Sequence, residues 1–296
     1  MRFAADHVLV KVPATSANLG PGFDSLGLAL DLWDEVDAKA VAGPSRVAVH
    51  GEGAGQLPED ESHLVLRSAH RALEAVGAPP VSLELNCYNR IPQGKGLGSS
   101  AAAVAAGALV ARGLIVNPAI LNAGRVFQFT AGFEGHPDNA APVVFGGATV
   151  AWMAGKQARA AQLAVDPSVE AVMLIPDGVV ATSLARSALP VRVPHVDAAF
   201  NLSRSALMVH ALTADPSLLF EATEDRLHQP YRAEVMPATT ELVAGLRAAG
   251  QAAVISGAGP AILVLTTDPA SVPEPSGWRF QRLDIAAHGG TVARVD

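Results

Sequence analysis

Four short stretches of the chain concentrate the residue types that chemistry needs. The first is Pro92-Gln93-Gly94-Lys95-Gly96-Leu97-Gly98-Ser99-Ser100-Ala101, three glycines in five positions followed by two hydroxyls and an alanine-rich run. Glycine accepts positive φ and lets backbone N–H groups come close to a ligand. The free N–H groups and positive dipole end of a following helix favour an anion. The pattern therefore suits a phosphate, with Ser99 or Ser100 serving as N-cap or offering a hydroxyl to a phosphate-bound metal. It is neither a Walker A loop nor Gly-x-Gly-x-x-Gly, because no Gly-Lys-Ser/Thr falls at the needed spacing. The plainer alternative is a glycine-rich turn with a serine cap.

The second stretch, Pro13 to Asp24, carries Thr15, Ser16, Asn18 and Asp24 among two prolines and two glycines. Asn18 and Asp24 suit polar ligand groups, although both residue types also favour ordinary capped turns. The third, Ser256-Gly257-Ala258-Gly259-Pro260, joins two strand-like runs and by itself reads as a hairpin connection. The fourth, Glu134-Gly135-His136-Pro137-Asp138-Asn139, places two carboxylates, an imidazole and an amide within six residues, or marks nothing more than a helix end. The other histidines show no pair spacing for a zinc site.

The elements that must carry these stretches follow from periodicity. His7–Val12 reads as a strand stopped by Pro13, and Pro13–Asp24 as a loop. Trp33–Val41, Arg46–His50 and Val81–Leu85 read as strands. His63–Val76 has the spacing of an amphipathic helix. Ser99–Leu114 is a second helix, and Pro118–Phe133 a third with its proline in the first turn. Val143–Met153 reads as strand, glycine pair, strand, and the polar stretch 154–164 as a domain boundary. Beyond it come a strand at Val169–Ile175 and helices near Asp197–Leu212, Ser217–Leu227 and Glu234–Ala249. Strands at Ala252–Ser256 and Ala261–Thr267 follow, with edge strands at Trp278–Ile285 and Thr291–Val295. Strands and helices without a strict βαβ rhythm predict an α+β fold.

Composition bounds what such a fold does. At 296 residues the chain suits one large domain or two ordinary ones, and roughly 70% of its unfolded surface can be buried. With 21 Lys and Arg against 28 Asp and Glu, net -7, a nucleic-acid surface is not expected, while a local anion site remains open. Cys87 is the single cysteine, which excludes an intramolecular disulfide and fits a reducing compartment. The start, MRFAADHVLVKV, lacks the apolar core of a signal peptide. The longest apolar stretch, Ala101 to Leu114, contains Arg112 and is too short to cross a bilayer. A soluble cytoplasmic protein is expected, with no membrane partner.

Taken together, the four stretches resemble those of the GHMP kinases, and within them the branch that phosphorylates homoserine. Pro92–Ala101 is similar to that superfamily's phosphate loop. Pro13–Asp24 matches the N-terminal motif of the homoserine branch almost letter for letter. Glu134–Asn139 with Ala140–Gly147, and Ser256–Pro260, resemble two further motifs in the same order. The resemblance implies a two-domain fold. An N-terminal ATP-binding domain (1–155) would resemble ribosomal protein S5 domain 2, and a C-terminal domain (156–296) would be ferredoxin-like. It implies ATP and Mg²⁺, transfer of the γ-phosphoryl group to the side-chain hydroxyl of L-homoserine in threonine biosynthesis, and a homodimer.

Carried over residue by residue, the resemblance assigns ATP to Pro92, Gln93, Gly94, Lys95, Gly96, Leu97, Gly98, Ser99, Ser100, Ala101 and Ala102, with His63, Gly257 and Gly259. The amino acid and the transfer fall to Asn18, Asp24, His136, Asp138, Asn139, Thr182, Arg186 and Arg232. Asp24, Ser100, His136 and Asp138 are the catalytic candidates, and Ser100 with Glu134 the metal pair. Homoserine is a zwitterion, so a carboxylate such as Asp24 suits its ammonium and an arginine fork its carboxylate. Phosphoryl transfer asks mainly for positioning and charge neutralisation, so no general base is assigned.

Two positions depart from the family pattern. Many members carry a metal-binding Glu on the helix before the fourth stretch, where this chain has Gln128, Thr130, Ala131 and Gly132. His63 stands where many relatives have Asn. The alternatives are another small-molecule kinase of the superfamily, whose substrates lack an α-ammonium, and a non-catalytic nucleotide or amino-acid sensor on the same fold.

Overall fold

In the computed structural model, which describes residues 3–295, the strands form two sheets. The larger sheet is built from β1 (His7–Ala17), β2 (Leu26–Val41), β3 (Arg46–Gly51), β4 (Ser82–Asn89), β5 (Ala148–Ala154) and β6 (Gln157–Leu163). The smaller sheet is antiparallel and contains β7 (Glu170–Pro176), β8 (Ala252–Ile255), β9 (Ile262–Thr266) and β10 (Trp278–Leu283) in the order β10-β7-β9-β8. The last strand, β11 (Thr291–Arg294), returns to pair antiparallel with β1 at the edge of the larger sheet. The polar stretch 154–164, expected as a boundary, is instead mostly β6, hydrogen-bonded to β5 through a turn at Gly155, whose φ is +63°.

Helices α1 (Leu64–Ala75), α2 (Ser99–Leu114), α3 (Ala123–Glu134) and α4 (Ala140–Phe145) accompany the larger sheet. Helices α5 (Thr182–Ser187), α6 (His195–Thr213), α7 (Leu219–Ala222) and α8 (Pro237–Ala248) accompany the smaller one. Helix α2 is almost wholly buried between α1 and β1, and its small side chains set how close its neighbours come. A Cβ on Gly107 would lie 2.4 Å from the Val65 carbonyl of α1. One continuous apolar core runs from Val8, Val10 and Val12 through α2 to Met173, Val254 and Leu263 of the smaller sheet.

Four expectations fail for identifiable reasons. Strand β1 does not stop at Pro13; the register with β2 shifts between Pro13 and Ala14, and pairing resumes to Ala17. Val143–Met153 begins as helix α4 and not as a strand, because a short apolar run has no periodicity of its own. The Pro118–Phe133 and Ser217–Leu227 segments each split. Asn122 caps α3 by accepting from the Arg125 N–H at 3.0 Å. The buried Asp225 carboxylate takes the N–H groups of Leu227, His228 and Gln229, turning the chain after α7.

Candidate active site

The expected phosphate loop leads from β4 into α2, with left-handed backbone at Gly94, Gly96 and Gly98. Two of these glycines are also required for space. A Cβ on Gly96 would sit 2.1 Å from the Ser256 carbonyl, and one on Gly98 would sit 1.9 Å from the Thr15 hydroxyl. Leu97 turns inward and is fully buried, as are Ala101 and Ala102, so these three hold the loop and leave its backbone to face outward. Gly98 is the N-cap residue and contributes no side-chain bond. The free N–H groups of the first turn of α2 therefore point toward open space, the arrangement that binds anions.

The three glycine-containing loops, scattered in sequence, are stitched together here. The Ser256 hydroxyl donates to the Gly96 carbonyl at 2.7 Å and lies 2.8 Å from the Ser16 hydroxyl. Ala261 N–H donates to the Lys95 carbonyl, and Gly257 N–H to that of Ala17. Asn18 uses both ends of its amide, donating to the Gly257 carbonyl at 3.0 Å and accepting from the Asp24 N–H at 3.0 Å. Asn18, Leu19 and Asp24 all hold positive φ, 72°, 47° and 53°, a cost that this stitching offsets.

A cavity opens between the loops. It is lined on one side by Gly94, Gly96, Gly98, Ser99 and Ser100, and on the other by Asn18, Thr182, Arg186, Arg232 and Gly257. Glu134, His136, Asp138 and Asn139 form its floor. Arg232 is 1% exposed and donates from Nη1 to the Gly257 carbonyl at 2.8 Å, while its Nε has no partner. Among the described residues it forms no ion pair. Burial, then the charge of Arg186, pull its pKa down to about 10. Such a guanidinium calls for an anion.

Arg186 instead makes a two-pronged pair with Asp24, at 2.7 and 3.2 Å. The residues expected to take opposite ends of a zwitterion thus neutralise each other in the free protein. A zwitterion can exchange into that pair with no net change of charge. Phe23 lies beneath both arginines, 5.8 Å from Arg186 and 5.9 Å from Arg232, and stacks on the buried His228. Sequence reasoning missed Phe23, although it stands inside the Pro13–Asp24 motif.

On the floor, Ser100 donates to Glu134 Oε1 at 2.6 Å. Burial raises the Glu134 pKa above the usual carboxylate value. His136 Nδ1 bonds Asp138 Oδ1 at 2.8 Å, and that bond raises the imidazole pKa against the opposing effect of burial. Asn139 N–H donates to the same Asp138 oxygen, and Asn139 Oδ1 accepts from the Thr15 hydroxyl of the second stretch.

A second cavity shares Ser99 and Ser100 with the first. Its wall is apolar at Val12, Val36, Leu57, Pro58 and Val65 and polar at His63 and Gln93. His63 is 4% exposed, its Nδ1 has no partner, and burial lowers its pKa. Asp34, also missed, lies here too. Its carboxylate accepts the N–H groups of Arg90 and Ile91 at 2.6 and 2.8 Å, just ahead of the phosphate loop, and burial lifts its pKa to about 6. The signal for it was a carboxylate on an otherwise apolar strand face.

Beyond Leu97, Ala101 and Ala102, three more expected nucleotide residues face elsewhere. Pro92 is buried, Gly259 packs against Met236, and the Lys95 ammonium bonds carbonyls at the end of β7.

Comparison with known proteins finds relatives along nearly the whole chain. The sequence model of the GHMP kinases N terminal domain matches residues 63–147, and that of the GHMP kinases C terminal domain matches residues 208–274. The chain is similar to the homoserine kinase of Clavibacter michiganensis subsp. michiganensis, 48% identical over 98% of this chain and 95% of that protein. It is 47% identical to the homoserine kinase of Streptomyces coelicolor, over 98% of this chain and 96% of that one. Its fold resembles the crystal structure of homoserine kinase from Cytophaga hutchinsonii, with a TM-score of 0.84, 26% identity and 99% of both chains covered.

Proposed function

The chain belongs to the GHMP kinases, in their homoserine kinase branch, and from that footing we propose that its cleft passes the γ-phosphoryl group of ATP to the side-chain hydroxyl of L-homoserine, a step of threonine biosynthesis. The observation that carries this reading is Arg232. A buried guanidinium without a carboxylate partner is costly unless an anion joins it. It opens onto the same cavity as the N-terminus of α2. A second anion site so close to a phosphate site suits an acceptor that carries its own carboxylate.

In this reading the phosphates lie over Gly94–Gly98 and the first turn of α2, where backbone N–H groups neutralise charge that develops during transfer. The apolar second cavity takes the base and ribose, with His63 at its wall. Arg232 holds the substrate carboxylate, Asp24 takes the ammonium, and Arg186 is released toward the transferring group or the carboxylate. Asn139, oriented by Thr15 and Asp138, and His136 face the acceptor hydroxyl. Transfer by positioning needs no strong base, so the hydroxyl is aimed and its proton passes to the phosphoryl oxygens or to Asp138 or His136.

Ser100 and Glu134 fit Mg²⁺, since a hydroxyl and a carboxylate 2.6 Å apart at the mouth of the phosphate site are the oxygen donors it prefers. When bound, the ion supplies charge neutralisation to the phosphates. Among the described residues no group of three or more His, Cys, Asp or Glu side chains is placed to hold a metal. The resemblance extends the proposal to a cytoplasmic homodimer, which sedimentation of the purified chain tests for its oligomeric part.

A coupled ADP-release assay over homoserine, mevalonate, a sugar and shikimate decides the matter. Preference for homoserine supports the reading, and preference for a non-amino-acid alcohol overturns it. ATP binding without transfer to any alcohol indicates a sensor.

A further inference from the structure

Lys95 stands at the centre of the phosphate loop, yet its ammonium does not enter the cavity that the flanking glycines line. It donates to three successive carbonyls where β7 ends: Pro176 at 2.7 Å, Gly178 at 2.6 Å, and Asp177 between them. A lysine ammonium has three N–H donors, and this arrangement uses them all. The loop makes two further ties to the same segment. Val180 N–H donates to the Gly94 carbonyl at 3.3 Å, and the Val179 side chain lies against Gly94.

These ties fix the lead-in to α5. Residues 177–179 are exposed, and α5 is six residues long with no side-chain cap, too short to persist unaided. It is held by Ala185, which packs with Met236 and Ile255, and by the Arg186–Asp24 pair. Thr182 and Arg186, on this helix, line the acceptor side of the cavity. A lysine in a phosphate loop would ordinarily be read as a phosphate ligand. Here that role would require giving up three carbonyl bonds, and the backbone N–H groups already face the anion.

We propose that Lys95 is a positioning residue that couples the two halves of the site, so that nucleotide on the loop tightens binding of the amino-acid acceptor. The coupling is reciprocal by linkage: the acceptor tightens nucleotide by the same factor. It rests on the functional reading above, because it needs both ligands.

The test is calorimetric titration with L-homoserine and a non-hydrolysable ATP analogue, each alone and each in the presence of the other, on the full chain and on Lys95→Met. In the unmodified chain each ligand is expected to tighten the other by at least about fivefold. In Lys95→Met that factor falls toward one, while each ligand alone binds within about threefold of its original affinity. Lys95→Arg, which keeps donors for the carbonyls, retains part of the factor.

An unmodified factor of one overturns the coupling and leaves the kinase reading intact, whereas no homoserine binding at all overturns the kinase reading itself. An unchanged factor in Lys95→Met, with or without weaker analogue binding, overturns the assignment of the coupling to Lys95, leaving that side chain a structural tie or a phosphate ligand. Should Lys95→Met not fold, amide exchange over residues 177–187 in the unmodified chain still decides. Protection that increases with the analogue alone supports the coupling, and protection that does not change overturns it.

Discussion

The donor wall of the cavity is backbone from one continuous segment, Gly94 to Ser100, whereas the acceptor wall is side chains drawn from Asn18, Thr182, Arg186 and Arg232, with Asp24 paired to Arg186. The two recognise charge in different ways. Backbone N–H groups at a helix start supply positive potential without a formal charge, which is how a chain of net charge -7 offers a site to polyphosphate. The acceptor wall uses full charges, two guanidiniums and their carboxylate neighbours, because a zwitterion presents both signs within a few ångströms. The backbone site tolerates side-chain change but not a Cβ, and the charged site tolerates change of shape but not of sign.

The largest effect is expected on the donor wall. Gly98→Ala combines a left-handed φ of 70° with a Cβ 1.9 Å from the Thr15 hydroxyl. The first turn of α2 must shift, so kcat/KM should fall by at least ~1,000-fold, about 4 kcal/mol. Thermal stability should fall with it. Activity within tenfold of the original would show that phosphate recognition does not depend on this backbone.

On the acceptor wall, stability and activity should separate. Arg232→Met keeps bulk and removes a buried charge with no acidic partner, so the melting temperature should hold or rise. The same change should cost ~300-fold in kcat/KM for the amino acid, about 3.4 kcal/mol, with nucleotide affinity little changed. A fall in stability would mean that the Gly257 bond outweighs the desolvation of the charge.

How far each wall could be read from the sequence follows the same division. The donor wall was legible because only glycine satisfies both the positive φ and the contacts with Ser256 and Thr15. The stretch therefore announces itself by composition. The acceptor arginines were not legible that way. Residue type alone gives Arg186 and Arg232 the reading of surface ion pairs, and only the resemblance placed them in a site. Nothing local marked the His228 beneath Phe23, whose partner Gly20 lies about 200 positions away, and Asp34 carried only the signal of a carboxylate on an otherwise apolar strand face. The sheets were largely legible from alternation, as in Val8, Val10 and Val12. The exceptions in the sheets were β1 beyond Pro13, the start of the 143–153 run and β6, and among the helices the breaks came where one polar side chain redirected the chain, Asn122 at α3 and Asp225 after α7.

Arg186→Ala probes the part of the acceptor wall that is already paired. Losing Arg186 frees Asp24, so the ammonium contact survives and only the second guanidinium is missing. The expected loss is ~30-fold, about 2 kcal/mol, carried mainly by KM for homoserine. A loss confined to kcat would place Arg186 on the transferring phosphoryl group and not on the acceptor.

The smallest effect concerns the floor where the two walls meet. The bond from His136 to Asp138 favours the protonated imidazole, and the folded pKa is accordingly raised. A raised folded pKa means that the stabilisation is complete below the unfolded value, about 6.5, and is lost as pH climbs through the folded value. The nearby charges of Arg186 and Asp24 act on the imidazole in opposite senses. Denaturant unfolding of the original chain and of His136→Gln should therefore differ by about 1 kcal/mol at pH 5.5. The gap should narrow as the pH rises, since the glutamine has no proton to lose. A gap that widens with pH would mean that burial of the neutral ring, and not the bond to Asp138, dominates the imidazole. The floor would then behave like the donor wall, holding position without charge.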